Sequence, residues 1–482
     1  MTVTFAIELI QTFKVSEAEQ FRSFLDSIYL TKGYDAPAAK NLFHILYEEI
    51  THGTVEEIEK ETIFKRMFPG KPVVETRIDK LMSELKRLLE RFLILEKYLT
   101  PENEGRQLID LAAELREKRL GARSQLVLER AVKFADTHLL ESLQKFNYRS
   151  TLSIEEYEWH CLYNRVKGDL HIPEALQHLD QYYYARRISF LNHLLLVQKA
   201  AMLPTQDYAI IPETMMQPNV NIQSPFIRIS LEIHRLLTKE NCQVVDFQDF
   251  MKKIRSEEHN LSSVTLSEFY TYLRNICVIL IDSGHVNLNP VLHEINKDNL
   301  QRGYFYVNDL ILPNAMLNIT RVAMLVGHFE WANHFIETHK DKIIDENEAH
   351  DFYRMNKAVC LFGERKFEAA LAMIPFSSTY TNYQLMARRL EIKIFYELKS
   401  DVLEYKIEAF RMFISRAGQK VFSGRVREMF LHFINFVRQL SLSEGPQAKQ
   451  RSTLLFKRIS EKKVVGERPW LLEKAKELGE SR

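Results

Sequence analysis

The chain has 482 residues, of which 65 are Lys or Arg and 64 are Asp or Glu, so its formal net charge is +1. Its 46% hydrophobic residues exclude a disordered chain, which combines low hydrophobicity with high net charge. The 15 glycines amount to less than half of the usual share of about 7%, which favours helices over Gly-rich phosphate loops and many tight turns.

The N-terminal residues contain no basic segment followed by a small-residue cleavage site, so we expect no secretion signal. The longest uncharged run, 369–387, contains Pro375 and several polar residues and cannot span a bilayer. Four cysteines are too widely spaced for a zinc knuckle or a redox motif, and they fit a reducing compartment: Cys161, Cys242, Cys277 and Cys360. We therefore predict a cytoplasmic protein without a transmembrane segment.

Helical periodicity dominates the N-terminal regions, which we place at 1–120 and 121–203. Between residues 78 and 95, apolar side chains recur in steps of three and four and predict one buried face of a helix: Ile78, Leu81, Met82, Leu85, Leu88, Leu89, Phe92 and Leu95. Capping-box spacing predicts helix starts at four hydroxyl residues: Ser16, Thr54, Ser153 and Thr265. Thr100 before Pro101 predicts another start.

The segment 61–93 resembles a helix-turn-helix, because two helical stretches flank the turn Pro69–Pro72. From Lys60 to Lys97 there are ten basic and six acidic residues. In a DNA-binding interpretation four of the basic residues would face phosphates: Arg77, Lys80, Lys86 and Arg87. The alternative is an ordinary helix hairpin whose apolar stripe packs against its neighbours.

Strand signals are scarce, and the least regular stretch is 204–224, which holds Pro204, Pro212 and Pro218. We predict an irregular connection there and a domain boundary. Three adjacent tyrosines lie upstream of it, at 182–184, followed by two arginines. Because successive helical residues point in different directions, at least one tyrosine should be partly exposed. Exposed Tyr and Arg favour binding surfaces, so we take Tyr183, Arg186 and Arg187 as candidate partner contacts, with core packing as the alternative.

Helix pairs recur in the region 225–416. Phe329 and Ala332 follow one amphipathic stretch, and Phe367 and Ala370 follow the next at a distance of 38 residues from Phe329. The aromatic residue would open the second helix of a hairpin, and the small residue would let the helices approach. These segments resemble degenerate tetratricopeptide repeats. The match is good over 315–375 and looser over 381–416 and 155–200.

That resemblance implies an α-α superhelix that binds proteins on a concave helical surface. Contacts are then expected on the first helices of the hairpins, at Tyr353, Asn356 and Asn318. Glu61 to Leu93, Leu179 to Arg187 and the Trp470 region are also similar to a set of bacterial all-helical proteins with no established activity, and this second resemblance implies no site residues.

The C-terminal region 417–482 is basic. Residues 411–482 contain 16 Lys or Arg and seven Asp or Glu, a net +9, so residues 1–410 carry −8. Such a region can meet nucleic acid, an anionic membrane surface or an acidic partner, or it can dock on the acidic remainder of the chain. The densest cluster is a candidate anion contact: Lys457, Arg458, Lys462 and Lys463.

Catalytic and cofactor motifs are missing from the sequence. It has no Gly-x-Gly-x-x-Gly and no Gly-Lys-Ser/Thr loop, and His328, His334 and His339 are not spaced to bind one metal. We therefore expect no cofactor and no metal. The prediction is an all-α, non-enzymatic helical-repeat scaffold that binds a protein or peptide. The alternative is a nucleic-acid-associated regulator that uses the helix-turn-helix-like segment or the basic C-terminal region.

Overall fold

The computed structural model describes residues 5–52, 60–163, 170–200, 224–345, 347–375, 378–416, 424–443 and 448–480. Within these ranges the protein is all-α, as predicted, with 22 α-helices and one two-stranded sheet. The chain divides into two units: unit 1 is Met1–Asp136 with Glu155–Leu170, and unit 2 is Thr137–Ile154 with His171–Arg482. Apart from Ser224, the predicted connection 204–224 lies outside the described residues.

Unit 1 is built from the first seven helices and the second half of α8. Their bounds are α1 Phe5–Gln11, α2 Val15–Leu25, α3 Ala36–His52, α4 Lys60–Met67, α5 Glu75–Tyr98, α6 Glu104–Glu117, α7 Gly121–His138 and α8 Leu143–Tyr163, with a 3₁₀ turn at Pro101–Asn103. The predicted stripe of α5 is confirmed, since its residues from Ile78 to Phe92 are at most 6% exposed and pack with α1–α4 into one core.

Unit 2 contains the remaining helices and three hydrophobic cores along the chain. The helices are α9 Ile172–Ala200, α10 Pro225–Thr238, α11 Val244–Glu257, α12 Ser263–Asp282, α13 Asn289–Gln301, α14 Pro313–Leu325, α15 Phe329–His339, α16 Ala349–Gly363, α17 Phe367–Met373, α18 Thr381–Glu397, α19 Leu403–Arg416, α20 Gly424–Ser441, α21 Ala448–Glu461 and α22 Arg468–Glu480, with 3₁₀ turns at Glu258–Asn260 and Val286–Leu288.

The strands β1 (Tyr306–Val307) and β2 (Leu310–Ile311) form a hairpin before α14. Its two turn residues, Asn308 and Asp309, have φ of 51° and 64°. Asn and Asp tolerate this left-handed conformation, which two-residue hairpin turns require.

The hairpins α14–α15 and α16–α17 begin their second helices where the sequence predicts, at Phe329 and Phe367. Ala332 and Ala370 are fully buried, so a larger side chain at either position would displace neighbouring atoms. The first helices also end alike: the His328 N–H donates to the Ala323 carbonyl at 2.9 Å, and the Lys366 N–H donates to the Leu361 carbonyl at 2.9 Å.

This helix ending needs a residue with positive φ immediately before the donating residue. That residue is Gly327 after α14, with a φ of 79°, and Arg365 after α16, with a φ of 62°. A sequence search for glycine therefore finds only one of the two turns. α18 ends in the same way with Lys399, at a φ of 50°.

Three of the four predicted capping residues lie inside helices rather than at their N-terminal caps. α2 starts one residue before Ser16, and the Lys14 N–H donates to the Glu17 carboxylate at 2.8 Å. Thr265 lies inside α12, whose cap is Ser262. Ser153 is in mid-helix and donates to the Arg149 carbonyl at 2.8 Å. Thr54 lies outside the described residues, and Thr100 does precede a 3₁₀ turn that begins at Pro101.

Among the described residues, α12 alone is long and apolar enough to cross a membrane by length and composition, and half of the tested window is buried within the protein. A buried core helix passes the same test. The finding therefore indicates no clear membrane span.

Candidate functional site

A cavity of about 900 Å³ opens inside unit 2 and is lined by α14, α16, α18, the segment 463–467 and the start of α22, with the end of α12 at one side. We call it the Glu467 cavity. Its lining includes seven Lys or Arg and four Asp or Glu, and apolar side chains such as Met324, Phe362 and Trp470. The described lining therefore combines an excess of positively charged side chains with apolar side chains.

The central charge in this cavity is the buried carboxylate of Glu467, whose side chain is 7% exposed. One carboxylate oxygen accepts a hydrogen bond from Arg389 Nη1 at 2.8 Å, and the other accepts one from Lys393 Nζ at 2.9 Å. Arg389 and Lys393 are four residues apart on α18, so they project from one helix face. Glu467 itself has a φ of 54°, a conformation that costs a non-glycine residue energy and that the two ionic hydrogen bonds help to hold.

The charge state of Glu467 follows from these neighbours. Burial alone would raise the pKa of its carboxyl, but the positive charges of Lys393 and Arg389 outweigh burial and hold the pKa well below its usual range. Burial lowers the pKa of both Lys393 and Arg389, because the Glu467 carboxylate, joined by Asp282 in the case of Arg389, only partly offsets the loss of water around the two cations. The cluster therefore remains short of negative charge.

Arg321 on α14 adds a third cation to the same carboxylate. Its guanidinium is 4.0 Å from the Glu467 carboxylate, and its side chain is 36% exposed. No closer ionic contact of Arg321 is found within the described part of unit 2. Arg321 is thus a cation that faces the cavity with spare hydrogen-bonding capacity, since a guanidinium carries five N–H donors.

Asp282, the last residue of α12, is accessible from the cavity. The protein around it displaces bulk water and raises the pKa of its carboxyl, an effect that Arg321 opposes. Two other charged residues of the lining, Lys474 and Glu397, are already paired with each other. Lys474 Nζ lies 2.9 Å from the Glu397 carboxylate. Trp470 also donates to Glu397 at 3.0 Å.

The residues predicted from the repeat resemblance do not meet at this cavity. Asn356 is fully buried and donates to the Phe352 carbonyl at 2.8 Å, so the prediction that it contacts a partner directly was wrong. Tyr353 is partly exposed, and its hydroxyl donates to Glu337 at 3.1 Å. Asn318 is exposed on α14.

The tyrosine run lies on α9 and divides as predicted: Tyr184 is 3% exposed and Tyr183 is 57% exposed. Arg187 Nη1 donates to the Tyr183 hydroxyl at 3.1 Å. Arg186 is exposed, with its guanidinium 5.7 Å from the centre of the Phe190 ring.

The basic C-terminal cluster is spread over α21 and the following segment. Lys457 lies 3.9 Å from Glu461, and Arg458 donates to Gln439 at 2.8 Å. Lys462 is partly exposed, and its carbonyl accepts a hydrogen bond from Arg468. Only Lys463 lines the Glu467 cavity.

The helix-turn-helix-like segment forms α4 and α5. All four of its predicted phosphate contacts are exposed. Three of these side chains already have local partners: Lys80 lies 3.9 Å from Glu84, Lys86 lies 3.7 Å from Glu90, and Arg77 stacks 3.9 Å from the Phe68 ring centre. The fourth predicted phosphate contact is Arg87. The local pairing of the other three side chains weakens the nucleic-acid interpretation.

Histidine pairing is one feature that spacing in sequence missed. A ring nitrogen of His293 lies 2.8 Å from a ring nitrogen of His328, 35 residues further along the chain. Burial lowers the pKa of His293 to about 4. Within the described ranges no group of three His, Cys, Asp or Glu side chains is arranged to hold a metal ion.

Comparison of the chain with protein-family models, with curated proteins and with solved structures finds no significant match.

Proposed function

We propose that the protein is a non-enzymatic, tetratricopeptide-like helical scaffold that binds an acidic segment of a protein or peptide partner in the Glu467 cavity. The observation that carries this proposal is the charge imbalance of the cavity, where seven Lys or Arg line the wall with four Asp or Glu, and Arg321, Arg389 and Lys393 converge on Glu467. A carboxylate of the partner, from Asp, Glu or a chain terminus, would complete the pairing of Arg321.

The arrangement of elements supports a peptide rather than a small ion. Arg321 lies on α14, Phe362 on α16 and Arg389 on α18, so these three alternate helices supply the wall, as the repeat resemblance implies for the first helices of hairpins. Apolar side chains such as Phe362 and Met386 line the same cavity and offer contact to the rest of a peptide segment.

The experiment is fluorescence anisotropy of full-length protein with a library of labelled acidic peptides and their Asn/Gln-substituted equivalents. We expect acidic peptides to bind and the neutral equivalents to bind at least about tenfold more weakly. Arg321→Gln should remove this preference. The matched control is Lys252→Gln, a 76% exposed lysine on α11, which should leave binding unchanged. Equal affinity for acidic and neutral peptides would contradict the proposal.

A further inference from the structure

α9 carries an apolar stripe that faces solvent. Six side chains on it are between 43% and 66% exposed: Ile172, Leu176, Leu179, Tyr183, Phe190 and Val197. With the exposed Arg186 and His193, the steps along the helix are 4, 3, 4, 3, 4, 3 and 4 residues. This is the spacing by which one helix meets another along a continuous seam.

The opposite face of α9 is already used. Tyr184, Ala185 and Leu195 are buried in the first core of unit 2, so the stripe is not the face by which the helix is held in its own fold. From Ile172 to Val197 the stripe is about 38 Å long at 1.5 Å per residue. With a width of about 10 Å it covers roughly 400 Å², the size of the patches that mark interaction sites on single proteins.

The stripe is complementary to itself. We infer that it binds the α9 helix of a second copy of this chain in antiparallel orientation, with the two-fold axis level with Tyr184 and Ala185. In that register Tyr183 faces Arg186 of the second copy, Leu179 faces its Phe190, and Ile172 faces its Val197.

Charge complementarity selects this occupant over an unrelated helix. Arg186 would lie against a tyrosine ring of the second copy, as it already lies 5.8 Å from the Tyr182 ring centre within its own chain. Beside the seam, Asp180 meets Arg187 of the second copy, and the two-fold axis produces this pair twice. A parallel pairing would instead stack Arg186 on Arg186, which repels.

Sedimentation velocity of the full chain over a micromolar concentration series tests the pairing. We expect a dimer, and a species that remains monomeric throughout the series would overturn the inference. Leu179→Glu should raise the dissociation constant at least about tenfold, because it buries a carboxylate against Phe190. Leu454→Glu, at a 57% exposed leucine on α21, is the control and should leave the dimer intact.

Exchanging Tyr183 and Arg186, which face each other at the centre of the proposed dimer, tests the antiparallel register. Tyr183→Arg alone should weaken the dimer, since two arginines then face each other, and the double variant Tyr183→Arg with Arg186→Tyr should restore it. A mixture of Ile172→Cys and Val197→Cys chains should form a disulfide that Ile172→Cys chains alone do not, because two copies of residue 172 would be about 38 Å apart. A disulfide between two Ile172→Cys chains, or no rescue by the double variant, would contradict the antiparallel register.

Discussion

Two regions of unit 2 concentrate positive charge in opposite ways. The cluster Lys457–Lys463 is dense in sequence, yet Lys457 and Arg458 have separate local partners on the surface, and only Lys463 lines the cavity. The cations around Glu467 are sparse in sequence, yet three of them converge on one carboxylate that is 7% exposed. The difference teaches that convergence and burial, rather than local charge density, make a charged region able to select a ligand, because exposed charges are screened by water and salt.

The largest effect that this comparison predicts is a loss of stability in Glu467→Gln. Removal of the carboxylate leaves Arg389 and Lys393 without their buried partner, and breaking such a pair typically costs about 3–5 kcal/mol. Urea denaturation should show this decrease in the free energy of unfolding. Glu404→Gln is the control, because Glu404 is 60% exposed in its contact with Arg438 and should cost less than about 1 kcal/mol. Equal losses of unfolding free energy in the two variants would mean that burial adds nothing to the ion pairs of Glu467.

Low pH should remove the stabilising effect of Glu467, because acid neutralises its carboxylate. The pKa of Glu467 is lowered in the folded chain, so its stabilising contribution is fully present above the unfolded value of 4.5 and is lost as pH falls from there toward the folded pKa. The difference in unfolding free energy between the wild type and Glu467→Gln should therefore shrink in denaturation series below pH 4.5. A difference that stays constant with pH would mean that Glu467 does not act through its charge.

Arg321→Gln should remove the preference for acidic peptides while leaving the stability of the fold nearly unchanged. Because Arg321 is 36% exposed and 4.0 Å from Glu467, its loss should change the free energy of unfolding by less than about 1 kcal/mol. Thermal denaturation checks this. A larger destabilisation would assign Arg321 to the structure of the cluster rather than to ligand binding.

The smallest effect is expected at the surface cluster. The double variant Lys457→Gln with Arg458→Gln should change the free energy of unfolding by less than about 0.5 kcal/mol and should leave acidic-peptide binding intact. A mobility-shift assay with duplex DNA at low salt should show no complex for the wild type. A complex that weakens steeply with salt and is lost in this variant would instead support the nucleic-acid alternative.

The sequence predicted the elements better than the site. The α5 stripe and the helix starts at Phe329 and Phe367 were predictable because periodic burial is a local property of the chain. The capping hydroxyls failed because a hydroxyl such as that of Ser153 can equally donate to a carbonyl four residues back inside a helix.

The Glu467 cavity could not be predicted, because its charged residues are distributed from Asp282 to Lys474, and those on helices look like ordinary polar-face residues while Lys463 and Glu467 lie in a short connection. Arg389 and Lys393 have the spacing of a solvated helix face, and only the packing of α22 beside α18 places a carboxylate between them. The left-handed conformation of Glu467, which aims this carboxylate, has no signature in the residue type.

The most direct test of the account is a crystal structure of the full chain with a tight-binding acidic peptide. The account predicts a peptide carboxylate within hydrogen-bonding distance of Arg321 inside the Glu467 cavity, with the pairing of Glu467 to Arg389 and Lys393 retained. A bound peptide that lies elsewhere on the protein, with the cavity unchanged, would contradict it.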